Sequence, residues 1–202
     1  MTHVSTQRLD RWAGGVCPFG AGWRKVMMWW FIVTDGLVFA GLLAAYGYAR
    51  ILAFRWPNQS EVFSLGYIAE MTFVLISSSA TMASGVEAAR RRDRSAVLRF
   101  VLLTALGGAV FLGMQAFEWR HLIAEGARLN TNPWGDASFG AYFFLLTGFH
   151  GTHVLTGIIV LATTAVRTAR GLTGDEGVEM AGLYWHFVDL VWVFVFTLFY
   201  LL

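Results

Sequence analysis

Five stretches of this sequence stay apolar for about the 20 residues that a helix needs to cross a bilayer core: 26–48, 68–88, 97–117, 139–164 and 181–202. Polar and turn-forming residues gather between them, and all three prolines, Pro18, Pro57 and Pro133, fall outside the runs. Proline interrupts helices, so this punctuation fits five helices joined by short connections. Hydrocarbon offers backbone amides no water, so the runs predict an all-α bundle of five transmembrane helices. Serine, alanine and threonine at 77–81 and Ser84, with Gly107, Gly108, Gly113, Gly148, Gly151 and Gly157, predict faces where helices approach closely. No repeat or long linker divides the chain.

Composition agrees with the pattern. A 202-residue chain that is 56% hydrophobic and 14% charged, with a mean hydropathy of +0.56, is too apolar for a soluble domain. The opening 25 residues are polar, and the apolar run after them is too long for a signal peptide and has no small-residue cleavage site behind it. Residues 1–25 are therefore expected to be retained as a cytoplasmic tail ahead of one membrane domain at 26–202. A single cysteine, Cys17, excludes an internal disulfide and any multi-cysteine metal cluster.

Arginine and lysine set the orientation. Arg8, Arg11, Arg24 and Lys25 precede the first run, Arg90, Arg91, Arg92, Arg94 and Arg99 follow the second, and Arg167 and Arg170 follow the fourth. Against these eleven, the other side holds Arg50, Arg55, Arg120 and Arg128. The N-terminus is expected in the cytoplasm and the C-terminus outside. The basic second loop also admits a nucleic-acid or lipid patch; a topology signal is the more economical reading.

Ionisable groups inside apolar runs carry the candidate chemistry, because a lone charge in hydrocarbon is unfavourable without a partner. Asp35 sits in the middle of the first run, either as a proton carrier or as a structural hydrogen bonder. Glu70 lies near the outer end of the second run, and Gln115, Glu118 and Trp119 close the third, where interfacial anchoring is the plain reading. His150 and His153 lie about 60° apart around one helix, as do His186 and Asp189 on the last. Mutual hydrogen bonds between these two faces, His150 or His153 meeting His186 and Asp189, account for all four more simply than a metal or haem does.

Taken together, Gly148-Phe149-His150-Gly151-Thr152-His153-Val154 and Tyr184-Trp185-His186-Phe187-Val188-Asp189-Leu190-Val191-Trp192 closely resemble two signature stretches of haem-copper oxidase subunit III. Gln115 to Trp119, the Ser77 to Thr81 stretch, Gly177-Val178-Glu179 and Phe31 to Asp35 extend the resemblance, which covers 26–202 in order. The length resembles the five-helix bacterial form found in cytochrome c and quinol oxidases. The resemblance implies a multi-pass subunit of the bacterial cytoplasmic membrane with no redox centre of its own. Such a subunit packs beside catalytic subunit I, with subunit II and smaller chains in the complex and haem and copper on partner subunits. It also holds phospholipid, supports proton uptake and slows inactivation during turnover; no nucleic acid is implied. Asp35, Glu70, Glu118 and Glu179 are then candidates for proton-related or lipid sites.

Three departures from the family pattern stand out. Asp35 occupies a position where many members have Glu; Met71 replaces an Asn before Thr72, while Glu70 resembles the quinol-oxidase branch. The first two helices of the longer form are absent, so its lipid cleft does not carry over directly. A subunit-III-like protein associated with nitric oxide reductase is the nearest rival; Gln115 to Trp119 and Gly148 to Val154 favour the oxidase. An independent membrane cytochrome would need haem on the four polar residues. A proton-coupled transporter would need broken helices or paired half-repeats.

Overall fold

The computed structural model describes residues 22–202, so Cys17, Pro18 and nearly all of the 1–25 tail lie outside the described residues. Five long helices cross the molecule: α1 Trp23–Leu52, α3 Leu65–Arg90, α4 Arg94–Ala124, α5 Ala137–Ala169 and α6 Asp175–Val195, the last continuing as a π-helical segment Phe196–Leu201. A single turn, α2 Gln59–Val62, lies in the first connection, capped by the Asn58 side chain. All five are long and apolar enough to span a membrane.

The helices outrun their apolar stretches because polar residues cap them. α6 starts at Asp175 rather than at 181, with Asp175 and Glu176 in the first turn, where carboxylates oppose the helix dipole. Asp93 and Asp136 cap α4 and α5, accepting from Ala96 N at 3.0 Å and Ser138 N at 2.8 Å. The bond from Ser138 holds the Asp136 carboxyl below its usual range. That cap is intact above the range and is lost as pH falls through it. α3, α4 and α5 end in the same backbone lock: Asp93 N, Ala127 N and Leu172 N each donate to the carbonyl five residues back, on Ala88, Leu122 and Arg167. The left-handed residue that this lock needs is glycine in two cases, Gly126 and Gly171, and Arg92 in the third.

Helix directions follow from paired contacts. Trp185 and Trp192 donate to Ser78 and Thr72 at 3.1 and 3.0 Å, so α3 and α6 run antiparallel. His150 reaches Val188, and Tyr184 reaches the carbonyl of His153, so α5 and α6 do too. α1 lies against α6 and α5 on the outside and buries only Phe39 and Tyr46 fully. The core is the four-helix group α3 to α6. At its centre Trp185, fully buried, fills the space left by Gly108 and Gly157; a Cβ at Gly157 would lie 2.9 Å from the indole, and one at Gly108 would overlap it. Small residues here do what close membrane packing asks of them.

Candidate functional site

The polar residues of the spans sort into two layers. On the outer side of the core, α1 brings Asp35 to α5, with Asp35 Oδ2 3.2 Å from His153 Nε2 and both side chains 14% exposed. The other ring nitrogen, Nδ1, lies 2.8 Å from the Phe149 carbonyl. A carbonyl only accepts, so Nδ1 carries a hydrogen and donates it. Nε2, which faces Oδ2, is then an acceptor on the neutral ring and a second donor on the protonated one. Although the atoms are close, Oδ2 has no aligned hydrogen bond, so the contact is an electrostatic proximity. Phe39 and Phe149 pack their rings against His153 at 5.3 and 4.7 Å and shield the pair.

One turn back on α5, His150 is fully buried between Phe111 and Trp192 and donates from Nε2 to the Val188 carbonyl at 3.2 Å. It ties α5 to α6. His186 faces the other way, its Nδ1 2.6 Å from Ser79 Oγ on α3. Asp189, one turn further along, keeps Oδ1 buried with no partner among the described residues.

The expected meeting of His150 or His153 with His186 and Asp189 is therefore corrected. A spacing of three turns two side chains about 60° apart, which here is enough to send His153 to α1 and His150 to the α6 backbone. His186 and Asp189 sit on the α3 side of α6. Ser79 was legible only as a small packing residue; its hydroxyl beside His186 was the missed element. Ser79→Ala should leave His186 Nδ1 without its partner and lower stability by about 1 kcal/mol. Thermal unfolding in detergent that matches the wild type would show that the Ser79 hydroxyl adds no stability through His186.

The remaining candidates separate. Glu118 is buried, 6% exposed, rather than interfacial; Oε2 accepts from the Tyr200 hydroxyl at 3.2 Å and Oε1 has no partner. Trp119 is not a free interfacial anchor either, since its Nε1 donates to Thr147 Oγ1 at 3.1 Å while Gln115 donates to the Thr147 carbonyl at 2.8 Å. Tyr200, a lone hydroxyl in an apolar final turn, gave no sequence signal for this role. Glu70 is exposed on α3. Glu179 pairs with Lys25 at 2.6 Å and clips the start of α1 to α6. Among the described residues no three His, Cys, Asp or Glu side chains converge as a metal ligand set. His150 spends its Nε2 on a carbonyl, and His153 its Nδ1.

This arrangement, with the signature stretches on α5 and α6, coincides with a profile match: the model for cytochrome c oxidase subunit III covers residues 19–202. The chain belongs to that family. Cytochrome c oxidase subunit 3 of Thermostichus vulcanus is 36% identical over 176 residues, spanning 85% of this chain and 84% of that protein. Cytochrome bo(3) ubiquinol oxidase subunit 3 of Pseudomonas aeruginosa is 34% identical over 193 residues, 94% of this chain and 87% of that one. A probable cytochrome c oxidase subunit 3 of Mycobacterium tuberculosis is 37% identical over 174 residues, 84% of this chain and 83% of that one. In subunit III terms, the Asp35 to His153 contact joins the first membrane helix of this five-helix chain to the helix bearing the first signature stretch.

Proposed function

We propose that this chain, an accessory subunit of a haem-copper terminal oxidase, steadies the catalytic subunit and supports its proton uptake through Asp35 and His153. The observation that carries the reading is the 3.2 Å approach of a carboxyl to an imidazole inside the membrane-spanning region. A carboxyl and an imidazole this close can take up a proton and pass it on with small movements, provided a neighbouring chain or water offers the next acceptor. α1, the most exposed helix, holds this pair at the edge of the core, within reach of such a neighbour.

Haem and copper belong, in this reading, to partner subunits, with subunit I and subunit II beside this chain in a bacterial cytoplasmic membrane. The bias of arginine and lysine to the end that holds Arg24, Lys25, the 90–94 turn and Arg170 supports a cytoplasmic N-terminal side. An apolar groove of about 410 Å³ between α1 and α6, walled by Gly36, Ala40, Ala44, Phe187, Leu190 and Phe194, suits a lipid acyl chain.

The test is to isolate the complex through a tag on this chain and to compare it with complex stripped of the chain. Companion chains bearing haem and copper are expected, and the stripped oxidase should lose activity faster during turnover. A tagged chain that brings down no haem-copper subunit, or a stripped complex that lasts as long as the intact one, would overturn the proposal.

A further inference from the structure

Where the α3–α4 turn meets the α5–α6 loop, a cavity of about 360 Å³ opens at the basic end of the bundle, room for roughly a dozen waters at liquid density. Its apolar floor includes Val97 and Val178, and its polar wall is Arg92, Arg94, Thr168, Thr173, Gly174 and Asp175. Thr168 is the telling residue. It is only 5% exposed, yet its Oγ1 has no hydrogen-bond partner. Other threonines of α5, Thr147, Thr156 and Thr163, return their hydroxyls to the carbonyl four residues back. Thr168 does not, and neither does the buried Thr173 hydroxyl find a partner.

Around these two hydroxyls the charge is cationic. Arg92 and Arg94 have no carboxylate within ion-pair distance among the described residues. The Arg94 guanidinium lies over Gly171, where a Cβ would come within 3.0 Å of Nη1 and where φ is +72°. Gly174 opens α6 without a side-chain cap, leaving first-turn amides of a 21-residue helix unclaimed by any side chain. Asp175 adds one carboxylate to the wall, against two guanidinium groups.

Two planar five-donor forks, two unpartnered hydroxyls and an uncapped helix start form a donor set with little to accept from it. An acceptor with several oxygens and negative charge completes it, and phosphate has both. We propose that this cavity binds a phosphate group, carried either by the headgroup of an anionic membrane lipid or by a soluble anion.

The full chain within its purified complex, in uncharged detergent, would be tested in two arms. One arm titrates inorganic phosphate and follows ³¹P line broadening. The other adds dioleoylphosphatidylglycerol, with dioleoylglycerol as the phosphate-free comparison, and counts retained lipid by native mass spectrometry. One saturable equivalent is expected in at least one arm, and the arm that responds identifies the source. Arg94→Gln should weaken it about tenfold or more, and Thr168→Val severalfold. Arg99→Gln, exposed on α4 at the same basic end and outside the cavity, should bind as the wild type does. The proposal is overturned by the absence of saturable binding in both arms, or by equal losses in Arg99→Gln and Arg94→Gln. Unchanged binding in Thr168→Val overturns it as well, including where Arg94→Gln fails to fold.

Discussion

Asp35→Asn, in fully assembled oxidase, is expected to leave the complex intact and to slow oxygen consumption most at alkaline pH. The carboxamide can keep the contact geometrically, donating from its nitrogen to His153 Nε2, because Nδ1 of that ring already carries the hydrogen bound to Phe149. Nothing structural need change; what disappears is the carboxyl's capacity to accept and release a proton. If the pair feeds protons to the catalytic subunit, its loss is felt where protons are scarce, and the deficit grows by up to about tenfold per pH unit while supply limits the rate. Faster inactivation during turnover should accompany it. Oxygen consumption against pH, measured on variant and wild type matched for subunit content, decides the point. Superimposable profiles would make the pair a structural contact and leave family membership untouched. Asp35→Ala serves as the contrast, since it removes the partner of His153 altogether and should cost stability as well.

Gly108→Ala is expected to weaken the bundle more than any other single methyl group at the positions described here. The added Cβ would overlap the edge of the Trp185 indole, with Ile158 Cγ1 3.2 Å away. The indole has nowhere to retreat. Its Nε1 is tied to Ser78 at 3.1 Å, and its other edge already rests on Gly157. Overpacking of this kind destabilises by about 1–3 kcal/mol, which should lower the unfolding midpoint in detergent by roughly 5 °C or more. Gly113→Ala, on the same helix with nothing within 4 Å of the new carbon, should be neutral or mildly stabilising. Pairing Gly108→Ala with Trp185→Phe should recover part of the loss, because the smaller ring vacates the contested volume. Equal midpoints for the Gly108 and Gly113 variants would show that the indole can move aside.

The contrast between those two glycines also marks the boundary between what the chain discloses along its length and what it does not. Both lie in one apolar run, and both read as packing residues; only the rotation of α4 in the bundle puts Gly108 against Trp185 and Gly113 in open space. The count of spans, the positions of the connections and the family signature were legible because each depends on local hydropathy and residue order alone. Helix ends were legible less well: α6 begins at Asp175, since acidic side chains at a helix start reward extension beyond the apolar run.

Which polar groups meet was decided by the tertiary structure. Periodicity says that His150 and His153 share a broad face, and it says the same of His186 and Asp189, but it cannot say which neighbour each face meets. α1 lies over α5 and α6, so Asp35 finds His153; α3 lies behind α6, so Ser79 finds His186. Glu118 looked interfacial because it closes an apolar run, and became buried because the final turn brings Tyr200 across to it. A hydrophobic run needs only its own side chains to specify a membrane helix, whereas a hydrogen bond between helices needs two rotations and a relative height, and those are set by the packing of the whole bundle.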